Sequence, residues 1–203
     1  MVIDLRNVSS TVLTLHESTK RLEDFSKCVG SKLSVNCFYG EKHSNQTIGF
    51  NISAYKMYQS VKPKCIVFED DVLCTEHYNP LLNIPDDADL VYLGTSAWGI
   101  KNNISERNNI DIEKYNDDFY RISYMTSTHA MLFVSDTFYN DMIVNLGNLI
   151  ESSPPTMPLD IHLANMQKDY RVYALAKPMF YQNSWHVDVT KYPLEKVYLE
   201  VNC

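Results

Sequence analysis

Cys65-Ile66-Val67-Phe68-Glu69-Asp70-Asp71-Val72 joins four strand-forming apolar residues to three consecutive carboxylates. A strand without polar alternation is one buried on both faces, as in a sheet covered by helices on either side. In such α/β proteins ligands bind in the crevice outside the carboxyl ends of the strands, which is where these acids fall. Adjacent carboxylates repel one another. A hard divalent cation of the Mg²⁺ type uses one or two carboxylates together with substrate phosphate oxygens, so it is a natural partner for them. An isolated acidic triplet is more often a solvated turn, but the continuous apolar run before this one favours a metal site. Alternation along an extended chain predicts Glu69 and Asp71 on one side and Asp70 on the other.

The flanking sequence extends the α/β reading. Thr11 to Leu15 reads as a first strand, and Ser18 opens a helix with Leu22, Phe25 and Val29 on one face up to Gly30. A second strand spans Leu33 to Phe38. A helix spans Ile48 to Val61, stopped by Pro63, and leads straight into the acid-ended strand. Asp89 to Gly94 is a further buried strand. Phe119 to Tyr124 and Ala130 to Val134 are strands flanking a polar Met125-Thr126-Ser127-Thr128-His129 segment. Helices follow from Asp136 or Thr137 to about Leu146 and from Pro158 to Gln167, then a last strand from Arg171 to Leu175. Alternating strands and helices in the first half predict a mostly parallel sheet flanked by helices, and the β-β-α order of the second half predicts a mixed one. Residues 95–118 are polar, Asn-rich and aperiodic, the pattern of a variable, mobile loop that would choose the acceptor.

At 203 residues the chain is long enough for one domain with a proper core. Its net charge of −7 argues against broad binding to nucleic acid, which needs a basic face. No segment reaches the length of a membrane span, and the N-terminus lacks the apolar core of a signal peptide. Five cysteines (Cys28, Cys37, Cys65, Cys74 and Cys203) show no zinc-type spacing and read as free thiols. The expected location is therefore the cytoplasm, of a bacterium or of a virus-infected cell. Asn-x-Ser/Thr sequons at Asn7, Asn45, Asn51 and Asn103 are then chance matches in an Asn-rich chain.

Other candidates carry a structural reading beside the functional one. Thr128 and His129 are substrate contacts or parts of a polar turn. Asp160, at a helix start, is a general base for a hydroxyl or a residue complementing the helix dipole. His186 closes a metal's coordination shell or lies on the surface.

In their order these features resemble glycosyltransferase family 25, the small GT-A enzymes of the lipooligosaccharide and procollagen galactosyltransferase kind. The resemblance runs from about Thr11 to Ser184. Val12-Leu13-Thr14-Leu15 and Ser18-Thr19-Lys20-Arg21 are similar to the family's opening strand and arginine-bearing turn. Gly49-Phe50-Asn51-Ile52-Ser53 resembles its glycine-to-serine helix segment, and Ile66 to Val72 its acidic metal motif. Thr128-His129-Ala130, Pro158-Leu159-Asp160, and Pro178 with Gln182 resemble its later elements. Two positions depart from it: Ala54 stands where a histidine follows the family serine, and Met131 where an aromatic is usual.

The resemblance implies a GT-A fold and a single catalytic domain over residues 1–203. It implies metal-assisted transfer, usually inverting, from a nucleotide-sugar donor such as a UDP-sugar to a hydroxyl of a glycan or other biopolymer, with Mn²⁺ or Mg²⁺. Asp71 would be the metal ligand, with Glu69 and, more weakly, His186 joining it. Asp70 and Glu69 would support the ribose or the metal's waters. Thr14, Leu15, Arg21, Ser53, Thr128, His129 and Gln182 would lie near donor or substrate, and Asp160 would bind the acceptor or act as base.

Two other classes compete. A sugar-nucleotide-binding module without turnover is kept open by Ala54, although three retained acids argue against it. A receiver-like phosphoacceptor domain fits less well, because its acid strand comes earlier and Lys177 here is followed by Pro178.

Overall fold

The computed structural model describes residues 1–96, 111–151 and 157–183. In chain order the elements are β1 (Val2–Asp4), β2 (Ser9–Thr14), α1 (Thr19–Phe25), β3 (Val35–Tyr39), α2 (Gln46–Ser60), β4 (Cys65–Glu69), β5 (Val72–Cys74), β6 (Leu81–Asn83) and β7 (Leu90–Tyr92). There follow β8 (Asp111–Lys114), β9 (Phe119–Tyr124), β10 (Ala130–Phe133), α3 (Asp136–Glu151), α4 (Leu159–Met166), β11 (Val172–Leu175) and β12 (Phe180–Gln182).

Eight strands form one sheet in the order β3-β2-β4-β10-β7-β11-β9-β8. β2 lies parallel to β3 and β4, and β7 parallel to β11. β10 is antiparallel to both β4 and β7, and β9 to both β11 and β8. All strands except β10 and β9 therefore run one way, giving the mixed, mostly parallel α/β sheet expected from the sequence.

The apolar run predicted to be buried on both faces is so buried: Cys65 and Val67 enter one core, Ile66 and Phe68 the other. The same alternation holds in β7, the Leu93 that follows it, and β10, where Leu90, Tyr92, Met131 and Phe133 face the first core and Val91, Leu93, Ala130 and Leu132 the second. Buried residues of α2, α3 and α4 belong to the first core. Residues of α1 (Phe25) and of the π-helical turn after it (Val29) belong to the second, together with Leu82 of β6 and Phe180 of β12. Because α2 packs against the sheet and also against α3 and α4, it buries polar Asn51 and Ser53 along with Met57 and Tyr58.

Some expectations need correction. The aperiodic segment 95–118 contains an edge strand, β8, paired with β9. Its pattern Asp-Ile-Glu-Lys is three-quarters charged because an edge strand exposes most of its side chains; residues 97–110 lie outside the described residues. β1, β5, β6 and β12, each three residues long, form two small two-stranded sheets and are too short for periodicity to show. α3 runs to Glu151, past the expected end near Leu146. Cys28, Cys37, Cys65 and Cys74 are free thiols, as expected. Asn51 is fully buried, so in the folded chain its sequon is no glycan acceptor. No helix among the described residues is long and apolar enough to cross a membrane.

Candidate functional site

The carboxyl ends of β2 and β4 and the start of antiparallel β10 meet at one edge of the sheet, and the three acids stand there. Glu69 completes the alternation of β4 and projects on the side of α2 and α4. Strand geometry then stops: Asp70 and Asp71 form the turn into β5. The expected split, with Asp71 beside Glu69 and Asp70 opposite, is thus replaced. A guanidinium nitrogen of Arg21, from α1, lies 2.7 Å from Asp70 Oδ1 and 3.1 Å from Asp71 Oδ2. Both aspartates are buried while the Arg21 side chain is half exposed.

Each acid has a distinct neighbourhood. Thr14 Oγ1, at the end of β2, donates to Asp70 Oδ2 at 2.7 Å. Thr128 Oγ1, just before β10, donates to Glu69 Oε1 at 2.5 Å, and Gln182 Nε2 approaches Glu69 Oε2 at 3.4 Å. Burial, followed by the Asp71 charge, pushes the Glu69 carboxyl up to about 8, against the pull of the Thr128 hydrogen bond. Burial also raises the Asp71 carboxyl, with Arg21 opposing. Asp71 Oδ1 is buried and makes no hydrogen bond among the described residues.

These acids fit a divalent cation in part. An orphaned buried carboxylate oxygen beside a second carboxyl that burial pushes up is an arrangement a bound cation would stabilise. Yet among the described residues no three His, Cys, Asp or Glu side chains gather as a ligand set. The protein would supply one or two carboxylates, Asp71 and Glu69, and leave the other positions to phosphate oxygens and water. His186 lies outside the described residues. Arg21, Thr14 and Thr128 also offset part of the repulsion among the three acids, so a metal ion is not their sole source of compensation.

Two clefts open on this edge. The first, of about 520 Å³, lies between the starts of α2 and α4 and includes Asp160, Thr126, Thr128, Gln182 and Glu69. The second, of about 650 Å³, lies between the start of α1 and that of α2 and includes Thr14, Leu15, Arg21, Ser53, Asp70 and Glu69. Gln46, Phe50 and Glu69 belong to both, so Glu69 stands on their common wall.

Asp160 is in the first turn of α4, with Oδ1 accepting the Ile161 N–H at 2.9 Å, and burial raises its carboxyl. Ser53 is buried beneath the second cleft, where its Oγ accepts the Glu41 N–H at 3.0 Å and pins the turn after β3. That turn passes so close that a Cβ on Gly40 would meet Ser53 Oγ at 2.7 Å.

His129 takes the structural alternative. It is fully buried, its Nδ1 is 2.8 Å from Ser127 Oγ, and it lines neither cleft. Its ring fills the space over Gly94, where an added Cβ would lie 2.1 Å from Nε2.

Sequence reasoning missed Gln46, Thr47, Phe50 and Asn51 as site residues. Asn51 left a signal, a polar residue between Phe50 and Ile52 within the apolar part of a helix. Gln46 and Thr47 look like any helix start.

No known protein family matches the sequence, and no curated protein does. Among solved structures the chain is similar to CTP:phosphocholine cytidylyltransferase from Streptococcus pneumoniae. The two share 11% identity with a TM-score of 0.48, over 86% of this chain and 92% of that one.

Proposed function

We propose that this chain is a GT-A-type glycosyltransferase. It would move a sugar from a nucleotide-diphosphate donor, a UDP-sugar foremost, to a hydroxyl on a glycan or other biopolymer. The observation that carries the reading is the meeting of two clefts at Glu69. One holds Arg21 and Lys42, paired with Asp70 and Glu17 of the same cleft, and would take a phosphate-bearing donor together with a metal ion that offsets its carboxylates; the other holds Asp160 and suits a group that must lose a proton. A transfer between two substrates needs that adjacency, because holding both reactants in place makes the step effectively unimolecular.

In this reading Thr14, Leu15, Arg21 and Ser53 face or support the nucleotide. Asp71 and Glu69 would hold Mn²⁺ or Mg²⁺. Such an ion, when bound, offsets charge on the departing diphosphate. The acceptor oxygen attacks the anomeric carbon, that carbon's bond to the phosphate oxygen breaks, and Asp160 takes the hydroxyl proton. One displacement of this kind inverts the anomeric centre. Burial favours Asp160 as a base, since a raised pKa brings a carboxylate nearer the operating pH. Thr128 and Gln182 orient Glu69 between the clefts.

A second reading, a sugar-nucleotide-binding module without turnover, is supported by one observation. Arg21 already pairs with both aspartates, so the acids have a reason to persist without catalysis.

Calorimetric titration with UDP- and GDP-sugars, with and without Mn²⁺, together with chromatography for released nucleotide, tests both. The transferase predicts metal-dependent binding with slow donor hydrolysis. Binding with no release supports the module, and absence of nucleotide binding overturns both.

A further inference from the structure

Two thiols meet where the π-helical turn after α1 packs on β5. Cys28 belongs to that turn (Ser26–Gly30), and Cys74 ends β5 (Val72–Cys74). The Cys74 N–H donates to Cys28 Sγ at 2.9 Å, and the two thiols are within hydrogen-bonding reach of each other. A disulfide joins Cα atoms about 4.4–6.8 Å apart. Cys28 Sγ already lies within about 4.4 Å of Cys74 Cα. Neither cysteine lines either cleft.

Both are half-buried, within reach of a small molecule, whereas Cys65 is fully buried and burial pushes its thiol up to about 12. Lys32 stands beside the pair: its ammonium is 5.0 Å from the centre of the Tyr78 ring, and its charge acts on Cys74. An anionic oxidant such as glutathione disulfide would meet that cation next to the thiols. Burial, and then the hydrogen bond with Cys28, push the Cys74 thiol up. The reduced state thus gains nothing from a stabilised thiolate at Cys74, and stabilisation of the reduced form is what makes a disulfide strongly oxidising.

From this juxtaposition we infer that Cys28 and Cys74 form a redox modification site, at which a low-molecular-weight disulfide such as glutathione disulfide installs an intramolecular bridge. The bridge forms whether or not the chain transfers a sugar. Cys28, as thiolate, attacks one sulfur of glutathione disulfide and releases the first glutathione. The Cys74 sulfur then attacks the Cys28 sulfur of the mixed disulfide and releases the second. Two cysteine thiols are oxidised, one glutathione disulfide is reduced to two glutathiones, and the two thiol protons pass to the departing thiolates. The bridge ties the turn after α1, the helix that carries Arg21, to the strand that follows Asp71. It thereby fixes the frame that holds the guanidinium against both aspartates.

The test incubates the full chain, under native conditions at about pH 8 where thiolate is populated, with glutathione disulfide. Alkylation and digestion without reduction should then yield linked peptides containing Cys28 and Cys74, and dithiothreitol should return both thiols. The oxidised protein should melt about 5–10 °C above the reduced one, because the bridge constrains the unfolded chain. Cys28→Ser and Cys74→Ser should each abolish the linked peptides and this rise, while exposed Cys37, changed to Ser, should leave both. The wild-type peptide map decides the matter even where a serine variant does not fold. Glutathione retained on either cysteine without a bridge, a bridge to Cys37 or Cys203, a bridge that forms only in urea, or a lower melting temperature on oxidation would each overturn the inference.

Discussion

Asn51 Oδ1, fully buried in α2, accepts the Leu159 N–H at 3.1 Å, while its Nδ2 donates to the Met157 carbonyl at 2.9 Å. One amide thus satisfies two backbone groups on either side of Pro158, where α4 begins, as a paired strand would. Asp160 follows directly, so the position of the proposed base is set by a side chain 108 residues from Leu159 along the chain.

Asn51→Leu should leave the Leu159 N–H and Met157 carbonyl without these bonds, at about 1–3 kcal/mol for each group that stays buried. Urea denaturation should show the loss, and hydrogen exchange should be fastest to rise at Leu159 to Ile161. Asn51→Asp keeps the acceptor for Leu159 but sets a buried carboxylate against the Met157 carbonyl, so its loss should shrink as pH falls and the carboxyl gains a proton to donate. A loss for Asn51→Asp that does not change with pH would contradict the pairing.

Asp160→Asn separates stability from activity. Burial raises the folded carboxyl above its ordinary value of 3.8. The native state therefore holds the proton more tightly, and stability falls as pH rises from that value through the folded pKa. Removing the charge should raise the melting temperature at about pH 7 but leave it unchanged at about pH 3. Transfer should drop by roughly 10²–10⁴-fold. Thermal scans at both pH values, paired with rate measurements, check this.

Arg21→Ala removes the cation that Asp70 and Asp71 share. Breaking a fully buried pair costs about 3–5 kcal/mol, and half exposure of Arg21 brings the expected loss nearer 1–2 kcal/mol. Mn²⁺ should then raise the variant's melting temperature more than the wild type's, because the ion replaces the missing charge. An equal shift in both would place the cation away from Asp71.

A proton and a metal ion compete for Glu69. With its carboxyl up at about 8, Mn²⁺ affinity should climb roughly tenfold per pH unit and level off near that value. Thr128→Val removes a hydrogen bond that lowers the carboxyl, so the plateau should move to higher pH. Affinity that does not change with pH would remove Glu69 from the ligand set.

The legible parts of this molecule were those governed by neighbouring residues. β4 could be read because each of its four apolar residues is buried, and the crevice location followed from where the acids stop. β8 could not, because an edge strand with one face in water carries almost no apolar pattern. Thr14, Arg21, Thr128 and Asp160 were singled out as residues of one site, and the structure gathers them around the two clefts. Their pairings were hidden. The turn at Asp70 and Asp71 ends the alternation that extended-chain geometry imposes, and the guanidinium then reaches both acids.

The amino-acid order alone determined a doubly covered α/β sheet with carboxylates at its ligand-binding edge, because side-chain periodicity and charge are local properties of an extended chain. Tertiary structure alone decided that β10 enters antiparallel between β4 and β7, bringing Thr128 to Glu69 across 59 positions of sequence. It likewise decided that Asn51 sets Asp160 in place and that two clefts share one acid. Those outcomes depend on which buried faces pack together, and packing joins residues that have no pattern in common along the chain.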